Sequence, residues 1–273
     1  MLGTGKVVTF LEMSRPWLTR LGFVLSAATA ALVLRVSWDE PWVGVATLGL
    51  IFVLVLLQLR TRRKTRRVLR SGDVEQVLDQ WSSTMDQVPH ASTMGPLMTA
   101  TAFAAYGWTD KAREALRQAE RGPAWDAALE HRLFVDTLLL TFEGDIEEAL
   151  RRAARLQQLP LPSAAPKLVE QVTTLRGAVG ALARAFSHQS EQGDRQLLLD
   201  AGRHSPLVHW AMRYGAAIVS IDRGQLADAR QLLREAPAWP AGSRFRRFHG
   251  EIVVEIDRQA GTADDEQRVP PLP

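Results

Sequence analysis

The sequence predicts an all-α protein: two N-terminal transmembrane helices followed by an α-α solenoid of helical hairpins. Three observations carry that expectation. Residues 42–59 form an apolar run without a charge, and the run ends in a block of arginines. From residue 71 onward, Ala- and Leu-rich blocks keep helical periodicity, and alternating β-branched runs of the kind strands need are nearly absent. Glycine-centred breaks recur there at Gly72, Gly107, Gly144, Gly193 and Gly224, with spacings of 35, 37, 49 and 31 residues. Periods of that order belong to stacked helix pairs.

Five segments follow along the chain. Residues 1–16 are a cytoplasmic N-terminal segment, 17–60 a transmembrane helical hairpin, and 60–70 a basic juxtamembrane belt. Residues 71–260 form the helical-repeat domain, and the polar, Pro-rich residues 261–273 a disordered tail. In the first segment Val7, Val8, Phe10 and Leu11 suit a short interfacial helix. The lead into the first apolar stretch is too long for a signal peptide, and no small-residue cleavage motif follows it. Gly3-Thr4-Gly5-Lys6 lacks the spacing and the preceding strand of a phosphate loop.

The first span covers Trp17–Val36, but only Leu21–Leu34 is free of charge. A crossing needs roughly twenty apolar residues. This segment is therefore either a span lengthened by snorkelling Arg20 and Arg35, or a shallow re-entrant stretch. Gly22, Ser26, Ala27, Ala30 and Ala31, with Gly44 and Gly49 on the next helix, give small-residue faces for close helix contact. The link between the spans carries Asp39, Glu40, the interfacial Trp38 and Trp42, and Pro41. With basic flanks and an acidic link, the positive-inside rule puts both termini in the cytoplasm. The excess of arginine over lysine is a coding signature of a GC-rich bacterium, so the membrane is a bacterial inner membrane.

The sequence pI near 9.7 points at first to nucleic acid. Its distribution argues otherwise. Residues 71–273 hold 22 Lys and Arg against 27 Asp and Glu, a net −5, while residues 1–70 carry +8. The basicity is concentrated in Arg60, Arg62, Arg63, Lys64, Arg66, Arg67 and Arg70. This belt reads as a topogenic stop that touches membrane lipid headgroups, with partner docking as the alternative. An acidic domain is a poor footprint for nucleic acid.

In the repeats, a glycine past the first helix supplies a left-handed turn and a neighbouring Asp caps the second helix. Small residues at Ala112, Ala149 and Ala229 let the paired helices approach. Pro89, Pro123, Pro160, Pro162 and Pro237 end the second helices. The block from Leu133 to Pro162, with Gly144-Asp145, Ala149 and its late prolines, resembles the tetratricopeptide repeat family, and residues 97–123 and 207–240 match next best. The family's small residue in the first helix falls here on Ala100, Thr137 and Ala217. Pro160, Pro162 and Pro166 insert a linker that overlengthens the fourth unit. The resemblance implies a concave groove lined by the first helices, with His131, Phe134, Thr141, Tyr214 and Asp222 on it. Because Gly72 follows Arg70 so closely, the end of the second span is expected to serve as the first helix of the first hairpin.

No catalytic chemistry stands out. The chain has no cysteine, and its six histidines form no metal-ligand spacing. His204 and His209 are separated by Pro206, which keeps them from sharing one helix face. No nucleophile elbow and no dinucleotide glycine motif is present. Phe103, Tyr106, Trp108, Phe134, Phe142, Trp210 and Tyr214 read mostly as core. The expectation is therefore a membrane-anchored scaffold or adaptor without cofactor or metal, whose cytoplasmic solenoid binds a protein or peptide partner. The alternative is an accessory subunit of a membrane transport or assembly complex that acts through its transmembrane hairpin. Nothing in the sequence sets the oligomeric state.

Overall fold

The computed structural model describes residues 41–85 and 88–268, together with Arg35. Among these residues every regular element is helical. The chain divides between Lys64 and Thr65 into two units, each taken by itself. The segment 1–16, the expected first span apart from Arg35, and residues 269–273 lie outside the described residues.

Helix α1, Pro41–Arg70, starts on a proline, whose missing N–H is no loss at a first helical position. In the first unit its apolar side chains are bare: Trp42 is 80% exposed, Phe52 64% and Leu54 56%. It is the one helix among the described residues that is long and apolar enough to cross a membrane.

The second unit begins at Thr65, not at residue 71, because the last turn of α1 already belongs to its core. Val68 and Leu69 pack on that core, and Thr65 Oγ1 accepts a 3.3 Å bond from Gln80 Nε2. Helices then follow in pairs. They are α2 (Val74–Met85), α3 (Ala91–Ala105), α4 (Thr109–Glu120), α5 (Leu129–Glu143) and α6 (Ile146–Gln158). After them come α7 (Pro166–Phe186), α8 (Asp194–His204), a short 3-10 turn (Pro206–Val208), α9 (His209–Asp222), α10 (Leu226–Leu233) and α11 (Arg244–Arg268). From α2 onward adjacent helices pack on one another, as in a helical solenoid.

The expected turn glycines, Gly72, Gly107, Gly144, Gly193 and Gly224, all take positive φ, between 70° and 97°. That region disfavours any residue with a Cβ. Asp73 and Asp145 cap the following helices, accepting from the amides of Gln76 at 3.1 Å and Glu148 at 3.3 Å. Ala112, Ala149 and Ala229 are fully buried.

The fourth pair departs from the pattern. Its extra length is a loop at 159–165 and a first helix of 21 residues that begins on Pro166. The residue that breaks away from α7 is His188, at φ 56°, and Gly193 stands instead at the N-cap of α8. Asp194 does not cap in the manner of Asp145. It takes a two-pronged ion pair from Arg184, at 2.9 and 2.6 Å, and a 2.8 Å bond from the Glu191 amide. Burial opposes the charge on Asp194, but these donors outweigh it and hold the carboxyl below its usual range.

After α10 the chain runs back along the ends of the hairpins in order. Pro237 and Trp239 close on Gly72. Ser243 Oγ donates to the Tyr106 carbonyl at 2.6 Å, and the Arg244 amide to the Gly107 carbonyl at 2.9 Å. Arg244 Nη1 reaches the Phe142 carbonyl at 3.0 Å, and Phe248 stacks edge-on against Phe186 at 5.1 Å. Phe245, fully buried, meets Phe142, Tyr214 and Trp239 at centroid distances of 5.0–5.2 Å. A side chain at Gly242 would collide with the Trp108 ring, so the crossing depends on a bare backbone there. The first and fifth hairpins also meet, because Trp210 Nε1 donates to the Arg70 carbonyl at 2.8 Å.

Of the residues expected to form a disordered tail, 261–268 belong to α11, which runs to Arg268. Residues 262–268, TADDEQR, contain no helix breaker.

Candidate functional site: an apolar cleft with an acidic rim

The five residues expected to line a groove do not come together. Tyr214 is fully buried and Thr141 is 1% exposed, so neither lines an open surface. The physical reason for Tyr214 is the returning C-terminal segment, which covers it: Trp239 Nε1 donates to its hydroxyl at 2.6 Å, and His249 Nδ1 lies 3.2 Å from the same oxygen. Burial pushes the Tyr214 hydroxyl well above its usual pKa, so it stays a neutral hydrogen-bonding hub. Thr141 donates to the Thr137 carbonyl of its own helix at 2.7 Å. Of the remaining three, His131 and Phe134 share one cavity and Asp222 lines another.

The larger cavity, about 640 Å³, opens between the C-terminal ends of α7 and α9 and the face of α11. Its floor is apolar: Phe186, Ile218, Ile221, Phe248 and Ile252. Its rim carries His188, Asp222, Glu251 and Glu255. The left-handed turn at His188 brings the imidazole to Asp222, with Nδ1 and Oδ1 2.7 Å apart. Glu255 accepts from Arg258 at 2.9 and 2.6 Å and from Gln259 at 2.7 Å. Those donors, Arg258 first, pull its carboxyl down to about 2. Glu251 pairs with Arg247 at 3.3 Å. The cleft thus offers an aromatic and aliphatic floor under a rim of carboxylates, each with a basic neighbour.

The smaller cavity, about 230 Å³, is lined by Thr101, His131, Phe134, Leu175 and Leu207 among others. Arg176 anchors it and is absent from the sequence expectation. Its side chain is 5% exposed, and it reaches Glu130 at 2.9 Å and the carbonyls of Leu159 and Pro160 at 2.7 and 3.1 Å. It thereby satisfies carbonyls left open at the end of α6. The signal for it was a lone cation within the otherwise uncharged run Gln171–Ala183.

The belt is exposed at Arg60, Arg63, Lys64, Arg66, Arg67 and Arg70. The Arg62 side chain lies outside the described residues. Among the described residues no group of His, Cys, Asp and Glu is arranged to hold a metal ion.

No protein-family model, no curated protein and no solved structure matches this chain.

Proposed function

We propose that this chain is a membrane-anchored adaptor of a bacterial inner membrane, with both termini in the cytoplasm, whose helical domain holds a protein or peptide partner. The observation that carries the reading is the exposure of α1. A Leu, Ile or Phe left in water forgoes about 1.5–3 kcal/mol of burial, and here such residues fill three successive turns. A lipid phase removes that penalty, and the exposed cations that follow suit the headgroup layer on the cytoplasmic side.

The tetratricopeptide-like reading of the domain rests on five left-handed glycines at solenoid spacing and two Asp caps. The partner surface that suits it is the acid-rimmed cleft. Its apolar floor fits the hydrophobic face of a short helix, and its carboxylates favour Lys or Arg flanking that face. The test is crosslinked capture of the full chain from native membranes, with wild type beside Glu251→Lys and Ile252→Asp. A partner held by wild type and lost from both variants supports the cleft. A partner retained by both sends recognition elsewhere, and one that is itself an integral membrane protein favours action through the membrane segment. No partner in any sample overturns the adaptor reading.

A further inference from the structure

Arg213 is set up as an anion receptor. Its guanidinium lies 5.3 Å from the Trp210 ring centroid, and its Nη1 is 3.4 Å from His209 Nε2. The other imidazole nitrogen, Nδ1, sits 3.3 Å from the Gly202 carbonyl oxygen. An imidazole that donates from Nδ1 presents a lone pair at Nε2, and Arg213 donates into it. Burial, with help from Arg70 and Arg213, pushes His209 down to about 4, so it remains this neutral acceptor at physiological pH. The guanidinium is therefore held beside an aromatic ring and an oriented imidazole.

A second arginine meets the same tryptophan through its backbone. Trp210 Nε1 holds the Arg70 carbonyl at 2.8 Å, which ties the end of α1 to α9. The Arg213 guanidinium is destabilised by its burial, and the charge on Arg70 adds to that effect. Glu235 offsets more of it than Arg70 adds, without cancelling the cost of burial. The one carboxylate paired with Arg213 is Glu235, 3.9 Å away on a side chain that is 70% exposed. Arg66, Arg67 and Arg70 make no ion pair among the described residues. Asp73, close in sequence, turns its carboxylate to the Gln76 amide. Residues 66, 67 and 70 lie three and four apart, on one side of the last turns of α1.

A held, half-buried guanidinium whose counter-charge is only partial is stabilised further by an oxyanion, and the planar fork of arginine matches phosphate oxygens two at a time. We propose that Arg70 and Arg213 form a phosphate-monoester site, with Arg66 and Arg67 at its edge. Its ligand is either the headgroup of an anionic lipid or a soluble phosphate. The lipid source rests on the membrane-anchored reading; the site itself does not.

The test uses the full chain in phosphatidylcholine nanodiscs, with and without phosphatidic acid, and separately titrates inorganic phosphate. Lipid occupancy is read by native mass spectrometry. Arg70→Gln and Arg213→Gln are compared with Arg155→Gln, an exposed arginine on α6, and with Arg213→Lys, which keeps the charge without the fork. Melting followed by circular dichroism confirms that each variant is folded. The expected result is a loss of phosphatidic acid binding on the order of tenfold in each Gln variant, an intermediate loss in Arg213→Lys and none in Arg155→Gln. The same pattern with inorganic phosphate alone assigns the site to a soluble ligand. Equal losses in all variants, or full binding by Arg213→Gln, would overturn the proposal. If the chain fails to partition with membranes yet binds inorganic phosphate through Arg70 and Arg213, the anchored reading falls and the site stands.

Discussion

Leu54 on α1 and Leu138 on α5 are the same residue in the same secondary structure, yet one is 56% exposed and the other fully buried. The difference extends to whole segments. On α1 the large apolar side chains from Leu50 to Leu59 are exposed all round the helix, whereas between α2 and α11 they form one face and meet one another. A helix that is hydrophobic all round asks for a different solvent; a helix with a stripe asks for a neighbour. On the membrane-anchored reading proposed above, the same chain carries two answers to one problem, burial in lipid and burial in itself.

The sharpest way to break that contrast is to make the same cut in both regions. Phe245→Ala removes a ring packed against Phe142, Tyr214 and Trp239 and is expected to destabilise the helical domain by about 4 kcal/mol. Phe52→Ala, on the bare face of α1, leaves the domain's unfolding midpoint in detergent solution where it was. Equal effects would mean that α1 is part of the domain's core.

Charge provides the next comparison. Asp194 is buried against Arg184, so Asp194→Ala leaves that guanidinium only the exposed Glu191, 3.7 Å away, and costs about 3 kcal/mol. Arg67→Ala in the exposed belt costs nothing measurable in chemical denaturation.

The domain also responds to acid through His209. Its folded pKa, about 4, lies below the usual histidine value, so the unfolded chain binds a proton first as pH falls. The stability that the neutral imidazole contributes is complete above about pH 6.5 and is lost as pH drops toward 4. That loss is on the order of 3 kcal/mol. His209→Gln should flatten this part of the pH profile of the unfolding midpoint. An unchanged profile would mean that His209 is not buried beside Arg213.

The smallest effect separates two glycines. Gly144 sits at φ 92° with open space around it, so Gly144→Ala costs about 1 kcal/mol of backbone strain alone. Gly49, inside α1 and equally uncrowded, accepts alanine without loss.

Much of the local architecture was legible in the sequence because it is written in short-range chemistry. Gly144-Asp145 carries both the left-handed turn and the cap of the next helix within two residues, and any reader of helix ends finds it. The groove was not legible, because helical periodicity says which face of α9 is apolar and not what covers it. Tyr214 is covered by Trp239, His249 and Phe245, contributed by a segment that returns along the hairpin ends. Arg244, whose bonds to Thr109 and Phe142 pin that segment, looks in sequence like any surface arginine. Asp194 was found as a turn residue but given the wrong partner, since its ion pair comes from the preceding helix. Asp222 was found for a groove and lies instead in the acid-rimmed cleft, where the unusual backbone of His188 meets it.

The central claim is that lipid covers the apolar side chains of α1 while the helical domain stands in water. The chain contains no cysteine, so a single introduced thiol reports its own surroundings. Leu54→Cys and Leu168→Cys start from similar exposure in the protein alone, 56% and 48%. The measurement is the labelling rate of each thiol by a charged maleimide in inverted native membrane vesicles, before and after detergent. The account predicts rapid labelling at position 168 throughout and labelling at position 54 only once detergent is added. Equal rates at both positions in intact vesicles would contradict it.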